Sequence, residues 1–170
     1  MRVWIRDIAI AILIAFVIMQ FIKPTIVKES SMQPTLYANN YIFLSKQAYT
    51  LFGDPEQGDI IVFHTDLTTD DGQEKLLIKR IIGLPGDTVR IMDGSVYVND
   101  ELLNEPYIFE PETTGTVDNL LVPEGSLFVM GDNRRVSKDS RISEVGLVAI
   151  DQIVGKAVFR LYPFNEIGRI

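Results

Sequence analysis

The chain contains no cysteine and only one histidine in 170 residues. The absence of cysteine excludes disulfide frameworks, thiol nucleophiles and cysteine-ligated zinc sites, so any nucleophile is a hydroxyl, an amine or a carboxylate. Scarcity of histidine removes most routes to a hydroxyl activated by imidazole. Only His64, which ends an apolar run beside Asp66, could serve a Ser-His-Asp arrangement, and a lone strand-end histidine is ordinarily a surface residue. Positive charge is also short: 16 Lys and Arg stand against 23 Asp and Glu, for a net charge of −7. Residues 24–170 hold 13 basic against 22 acidic groups, so no basic face for nucleic acid is available. There is no internal repeat and no low-complexity tract, and 46% hydrophobic residues support a packed core rather than disorder.

One long hydrophobic run is present. From Ile8 to Ile22 only Gln20 is polar, and extension to Trp4 and Ile5, with Arg6 and Asp7 reaching toward headgroups, approaches the ~30 Å of a bilayer core. A removed signal peptide is the alternative, but Lys23-Pro24-Thr25-Ile26 lacks the pair of small residues that a cleavage site needs. An uncleaved membrane helix is therefore expected. Arg2 and Arg6 favour an inside N-terminus while Lys23 and Lys28 flank the other end, so charge leaves the orientation open.

Beyond the helix the chain reads as short β-rich runs: 41–45, 59–64, 75–82, 88–92, 95–98, 127–130, 152–154 and 156–162. Turn signals separate them, among them Pro85-Gly86-Asp87, Asp93-Gly94 and Pro123-Glu124-Gly125. A helical turn is expected only between Ser45 and Phe52. Residues 65–74 and 110–125 read as exposed loops or an irregular subdomain. The fold class expected is mainly β.

Three segments carry candidate chemistry. Ser31 lies in Ser31-Met32-Gln33-Pro34-Thr35-Leu36, nine residues past the apolar run. Lys79 stands among Leu76, Leu77, Ile78, Ile81 and Ile82, where desolvation favours the neutral amine. Bringing a lysine from ~10.4 to near 7 requires roughly 4 to 5 kcal/mol of differential destabilisation of the ammonium, which burial can supply. The plainer alternatives are a solvated Lys79, an Arg80 salt bridge and a Ser30-Ser31 turn. The third segment, Gly131-Asp132-Asn133-Arg134-Arg135-Val136-Ser137-Lys138-Asp139-Ser140-Arg141, is either a polar surface loop or a brace for a site.

Taken together these segments resemble the serine, lysine and Gly-Asp-Asn-Arg boxes of bacterial type I signal peptidases, the serine/lysine-dyad peptidases of family S26. Gly58-Asp59-Ile60-Ile61-Val62-Phe63 matches a further motif of that family in the expected order, and the likeness runs from the apolar helix to Pro163-Phe164. The compact size and the stretch Arg134 to Asp139 are more similar to Gram-positive-type members.

The resemblance implies a single N-terminal transmembrane helix (1–24) followed by a β-barrel-like catalytic domain (25–170), with about 88–126 as a small irregular β insertion. It implies a Ser31 nucleophile and a Lys79 general base, with Ser137 bonding the lysine amine and Asp139 and Arg141 bracing the site. The Ser31 backbone N–H would donate to the oxyanion. Val27, Met32, Leu36 and Ile78 would line shallow pockets for small substrate side chains. No metal and no organic cofactor is implied. The partners implied are signal peptides of exported preproteins, the lipid bilayer and a neighbouring secretion translocon, with the domain on the extracytoplasmic face of the plasma membrane.

One residue departs from the family pattern. Two positions before the nucleophile the family usually has Gly or Ser, and this chain has Glu29, whose carboxylate would oppose an oxyanion unless it turns away. Two other functions fit less well. A noncatalytic relative assisting assembly of surface or pilus proteins would not need Ser31 and Lys79, and a self-cleaving Ser/Lys regulatory protein would carry a DNA-binding or partner domain in place of the helix.

Overall fold

The structure is a computed structural model and describes residues 2–51, 53–69 and 71–170. Met1 of the expected anchor, Phe52 at the end of the expected turn and Asp70 of the expected acidic loop lie outside the described residues.

Among the described residues a helix, α1 (Arg2–Phe21), leads into twelve strands: β1 (Ile22–Ile26), β2 (Tyr41–Ser45), β3 (Ile60–Thr68), β4 (Glu74–Gly83), β5 (Thr88–Met92), β6 (Ser95–Val98), β7 (Glu101–Leu102), β8 (Val117–Leu121), β9 (Ser126–Met130), β10 (Val148–Ala149), β11 (Ile153–Tyr162) and β12 (Gly168–Arg169). The larger sheet runs β1-β2-β11-β3-β4-β9-β10 with β12 beside β11, and the smaller runs β7-β6-β5-β8. All pairings are antiparallel. Since β1 and β10 do not pair with each other, the barrel stays open.

Every side chain from Trp4 to Phe21 is exposed, and this 18-residue stretch has a mean hydropathy of 2.0. An apolar helix without protein packing is stable only in an apolar medium, which is consistent with a membrane anchor. The helix stops at Phe21 because Ile22 to Ile26 pair with Ser45 to Tyr41, so the expected boundary at residue 24 falls inside a strand. Pro24 lacks an N–H, and β1 accepts it because an edge strand leaves one side unpaired.

Both faces of β3 are covered. Ile60 and Val62 pack with Val27, Met32 and Leu36, while Ile61 and Phe63 pack with Leu77, Ile81 and Val129. That explains a continuous apolar run where an alternating one would leave a face in water. A third cluster joins Val89, Ile91 and Val96 of the smaller sheet to Phe128 and Met130 of β9, so the two sheets share a core. The β5–β6 turn at Asp93 and Gly94 has φ of 51° and 77°, a pair of left-handed residues that suits a two-residue hairpin.

Three sequence expectations are corrected. Residues 110–125 are not wholly loop, since β8 pairs with β5 from Thr88↔Leu121 to Ile91↔Val117. The 65–74 loop shrinks to a tight turn, because β3 extends to Thr68 opposite Glu74, with Thr65 Oγ1 donating to the Lys75 carbonyl at 2.6 Å. The runs 152–154 and 156–162 merge into one strand that starts at Ile153, Gln152 closing the 3-10 turn before it, and the register shifts between Ile153 and Gly155. At Gly155 a Cβ would lie 2.7 Å from the Ser45 carbonyl oxygen, so the close approach of β2 requires glycine.

Candidate active site

Ser31 heads a tight turn five residues past the end of β1, closed by Gln33 N–H donating to Ser30 O (3.2 Å) and Leu36 N–H to Met32 O (2.8 Å). Met32 and Leu36 are fully buried, which anchors the turn in the core and fixes the direction of the preceding hydroxyl. Lys79 projects from β4 between the buried side chains Leu77 and Ile81. Its Nζ lies 2.7 Å from Ser31 Oγ and donates to its neighbour's carbonyl, Ile78 O, at 2.9 Å.

Both members of the pair are buried, Ser31 to 4% and Lys79 to 1% residual exposure. Desolvation pushes the Lys79 amine down from its ordinary 10.5 to about 8. Asp139, Glu29 and Asp132 pull it back upward and Lys75 adds to the lowering, so burial wins. An amine near 8 is neutral in a useful fraction of molecules at physiological pH.

The segment after β9 holds the pair in place. Asn133 N–H donates to the Ser31 carbonyl at 3.0 Å, tying the serine's main chain to this loop. Gly131 N–H donates to Asp139 Oδ2 at 3.0 Å, and Arg141 grips the same carboxylate at 2.8 and 2.9 Å. Asp139 is fully buried, which an unpaired carboxylate would not tolerate. Ser137 lies against Gly131, but its buried hydroxyl makes no hydrogen bond, so the structure does not join it to the Lys79 amine.

Sequence reasoning named an Arg80 salt bridge only as the plainer alternative and missed that it forms a second brace. Arg80, next to Lys79, is bidentate to Asp132 at 2.8 and 2.7 Å, and Thr35 Oγ1 donates to the same carboxylate at 2.5 Å. The serine turn, β4 and the Gly131 loop therefore meet on one ion pair whose carboxylate is buried. Arg80's place beside Lys79 and Thr35's inside the serine motif were the available signals.

Val27, Met32, Leu36 and Ile78 come together in one apolar cluster beside the pair, the first three buried. A cavity of about 560 Å³ lined by Lys46, Tyr49, Ile150 and Ile153 contains none of the predicted site residues. Glu29 is ion-paired with Lys75 at 2.5 Å. His64 is a surface residue that meets Glu74 at 2.7 Å.

A buried hydroxyl whose proton can pass to a desolvated amine on a β scaffold is equipped for acyl transfer, the class of chemistry that peptidases perform. The family model for signal peptidase, peptidase S26, matches residues 1–162, and the chain belongs to that family of peptidases. It is 38% identical to signal peptidase I of Bacillus licheniformis over 178 residues, covering 98% of this chain and 91% of that one. Signal peptidase IB of Staphylococcus aureus (strain COL) is 38% identical over 181 residues, with 96% and 90% covered. A crystal structure of a signal peptidase I from Enterococcus faecalis V583 is 34% identical, covers 61% of this chain and 97% of its own, and superposes with a TM-score of 0.49.

Proposed function

We propose that the chain is a signal peptidase I, a membrane-anchored serine endopeptidase that removes N-terminal signal peptides from exported preproteins with a Ser31/Lys79 dyad. The observation that carries this reading is the 2.7 Å contact between Lys79 Nζ and Ser31 Oγ, buried within a chain of that family. Neutral Lys79 takes the Ser31 proton as Oγ attacks the scissile carbonyl. The resulting ammonium then protonates the leaving amine, and the regenerated amine draws a proton from the water that hydrolyses the acyl-enzyme.

The Ser31 N–H has no backbone or side-chain partner among the described residues, which suits an oxyanion donor. Along Glu74 to Lys79, β4 pairs with β3 on one side only, since β9 meets it from Arg80 onward. That free edge would hold an extended substrate by main-chain pairing, with Ile78, Met32, Val27 and Leu36 forming the floor under small side chains. Ser137 is assigned to the Lys79 amine through its unspent hydroxyl, and Asp139 and Arg141 to positioning. The helix sits in the plasma membrane with residues 25–170 on the extracytoplasmic face, near the translocon that delivers the substrate.

The test is cleavage of a preprotein with an Ala-X-Ala site by the detergent-solubilised full-length protein, the cut located by mass spectrometry. Cleavage after the second alanine is expected, lost in both Ser31→Ala and Lys79→Ala. A folded wild type that does not cut in lipid would overturn the reading in favour of a noncatalytic relative.

Glu29 supplies a second prediction. Its carboxylate is engaged by Lys75, so Glu29→Gln should change kcat/KM by less than about tenfold. Because the Glu29 charge raises the Lys79 amine, its removal lowers that amine further and shifts the acid limb of the rate profile to lower pH. An increase of several orders of magnitude would mean that Glu29 faces the oxyanion instead.

A further inference from the structure

The loop between β7 and β8 is irregular, yet it sends a carboxylate into the interior. Glu105 is 7% exposed at its side chain and pairs with Arg134, whose side chain is completely buried. Arg134 Nη1 donates to Glu105 Oε2 at 3.0 Å and to Thr113 Oγ1 at 2.5 Å, while Nη2 donates to Glu105 Oε1. Its Nε donates to the carbonyl of Gly131 at 3.1 Å. Gly131 is thereby held at both polar ends, its N–H by Asp139 and its carbonyl by Arg134. The same glycine abuts the Ser31 carbonyl oxygen so closely that even a Cβ would overlap it.

We propose that Glu105 is a positioning residue for the nucleophile: it fixes the Arg134 guanidinium, Arg134 fixes the Gly131 peptide, and Gly131 sets where the main chain of Ser31 stands relative to Lys79. The inference rests on the peptidase reading above. A buried guanidinium with its carboxylate removed is an uncompensated charge and moves to find another partner or water, taking the Gly131 carbonyl with it. Displacement of a reacting atom by about 1 Å lowers turnover about 10²-fold.

The loop also reaches the lysine side of the dyad. Tyr107 donates to Glu105 Oε1 at 3.1 Å, and the Arg80 guanidinium lies 4.0 Å over the Tyr107 ring. Arg80 follows Lys79 in β4 and grips Asp132, which follows Gly131. Glu105 and Tyr107 thus touch both arms of the scaffold that brings the hydroxyl to the amine. Thr113 and Thr114 close the far end of the loop, Thr114 Oγ1 donating to the Arg134 carbonyl at 3.2 Å. The smaller sheet, through the loop it suspends, is part of the device that aligns the dyad.

The experiment measures kcat and KM on the Ala-X-Ala preprotein for full-length wild type, Glu105→Gln, Thr113→Val and Glu110→Gln in detergent, with thermal unfolding recorded for each. Glu110 belongs to the same loop but pairs at the surface with Arg135, so its variant should match wild type. Folded Glu105→Gln is expected to lose about 10²-fold in kcat with KM held within about threefold. Thr113→Val keeps the charge pair and removes one bond; it should lose about threefold to tenfold in kcat, and it carries the test if Glu105→Gln does not fold. A kcat within about twofold of wild type in the folded variants, or a loss confined to KM or to the folded fraction, overturns the inference. A wild type that does not cleave overturns the peptidase reading itself, and the inference with it.

Discussion

Lys79→Met is expected to abolish cleavage while making the protein more stable at neutral pH. Methionine matches the length and apolar stem of lysine but has no amine to take the Ser31 proton, so kcat should fall by about 10⁴-fold, the upper range for loss of a general base. Stability moves the other way because the folded state lowers the amine from 10.5 to about 8. Below pH 8 the amine is charged in both states, and the folded state bears the full penalty of burying that charge, about 3 kcal/mol. Between pH 8 and 10.5 the unfolded chain binds more protons than the folded one, so wild-type stability rises with pH and the penalty fades. Lys79→Met should therefore unfold at higher temperature than wild type at pH 7, with the gap narrowing toward pH 10.5. In the wild type, the same amine should make kcat/KM drop about tenfold per unit as pH falls below about 8. A variant less stable than wild type at pH 7 would show that the lysine is not paying a desolvation penalty.

Gly131→Ala is the second large effect. A methyl at this position would overlap the Ser31 carbonyl oxygen and the Ser137 hydroxyl, and would stand 2.7 Å from Ser137 Cβ. A flexible side chain could yield, but the Ser31 carbonyl is main chain and is already engaged by the Asn133 N–H. The serine turn must therefore shift as a unit relative to Lys79, which β4 holds against β3. A fall of at least about 10²-fold in kcat is expected, with the folded protein retaining its β spectrum. Equal activity in Gly131→Ala and wild type would mean that the turn has slack that its packing does not suggest.

The parts of the fold legible in the sequence are those where burial writes a period into the chain. In β2, β5 and β6 apolar residues alternate with partly exposed ones, and their limits match the expected runs to the residue. β8 has no such alternation: only Val117 and Leu120 are even partly buried, and its place in the sheet rests on main-chain bonds to β5, which any side chain permits. β1 was hidden by Pro24, a residue that usually ends strands but is admitted at an edge. Lys79 was legible as a lysine among apolar neighbours, whereas its nearness to Ser31 was expected only from the order of motifs. Glu105 and Arg134 lie 29 positions apart with nothing in either local sequence to join them, so only the folded chain reveals the pair.

Helix α1 passes into β1 without a linker, and the Lys46 N–H donates to the Phe21 carbonyl at 2.9 Å, clamping the junction to the end of β2. Ser31 is ten residues from Phe21, a path that even fully extended spans at most ~36 Å. On the proposed reading the anchor would be a ruler as well as a tether, setting the height above the lipid at which a peptide bond is cut. Substrates of the proposed peptidase would then be measured as well as recognised, and a scissile bond carried too far from its own hydrophobic stretch would pass beyond the reach of the blade.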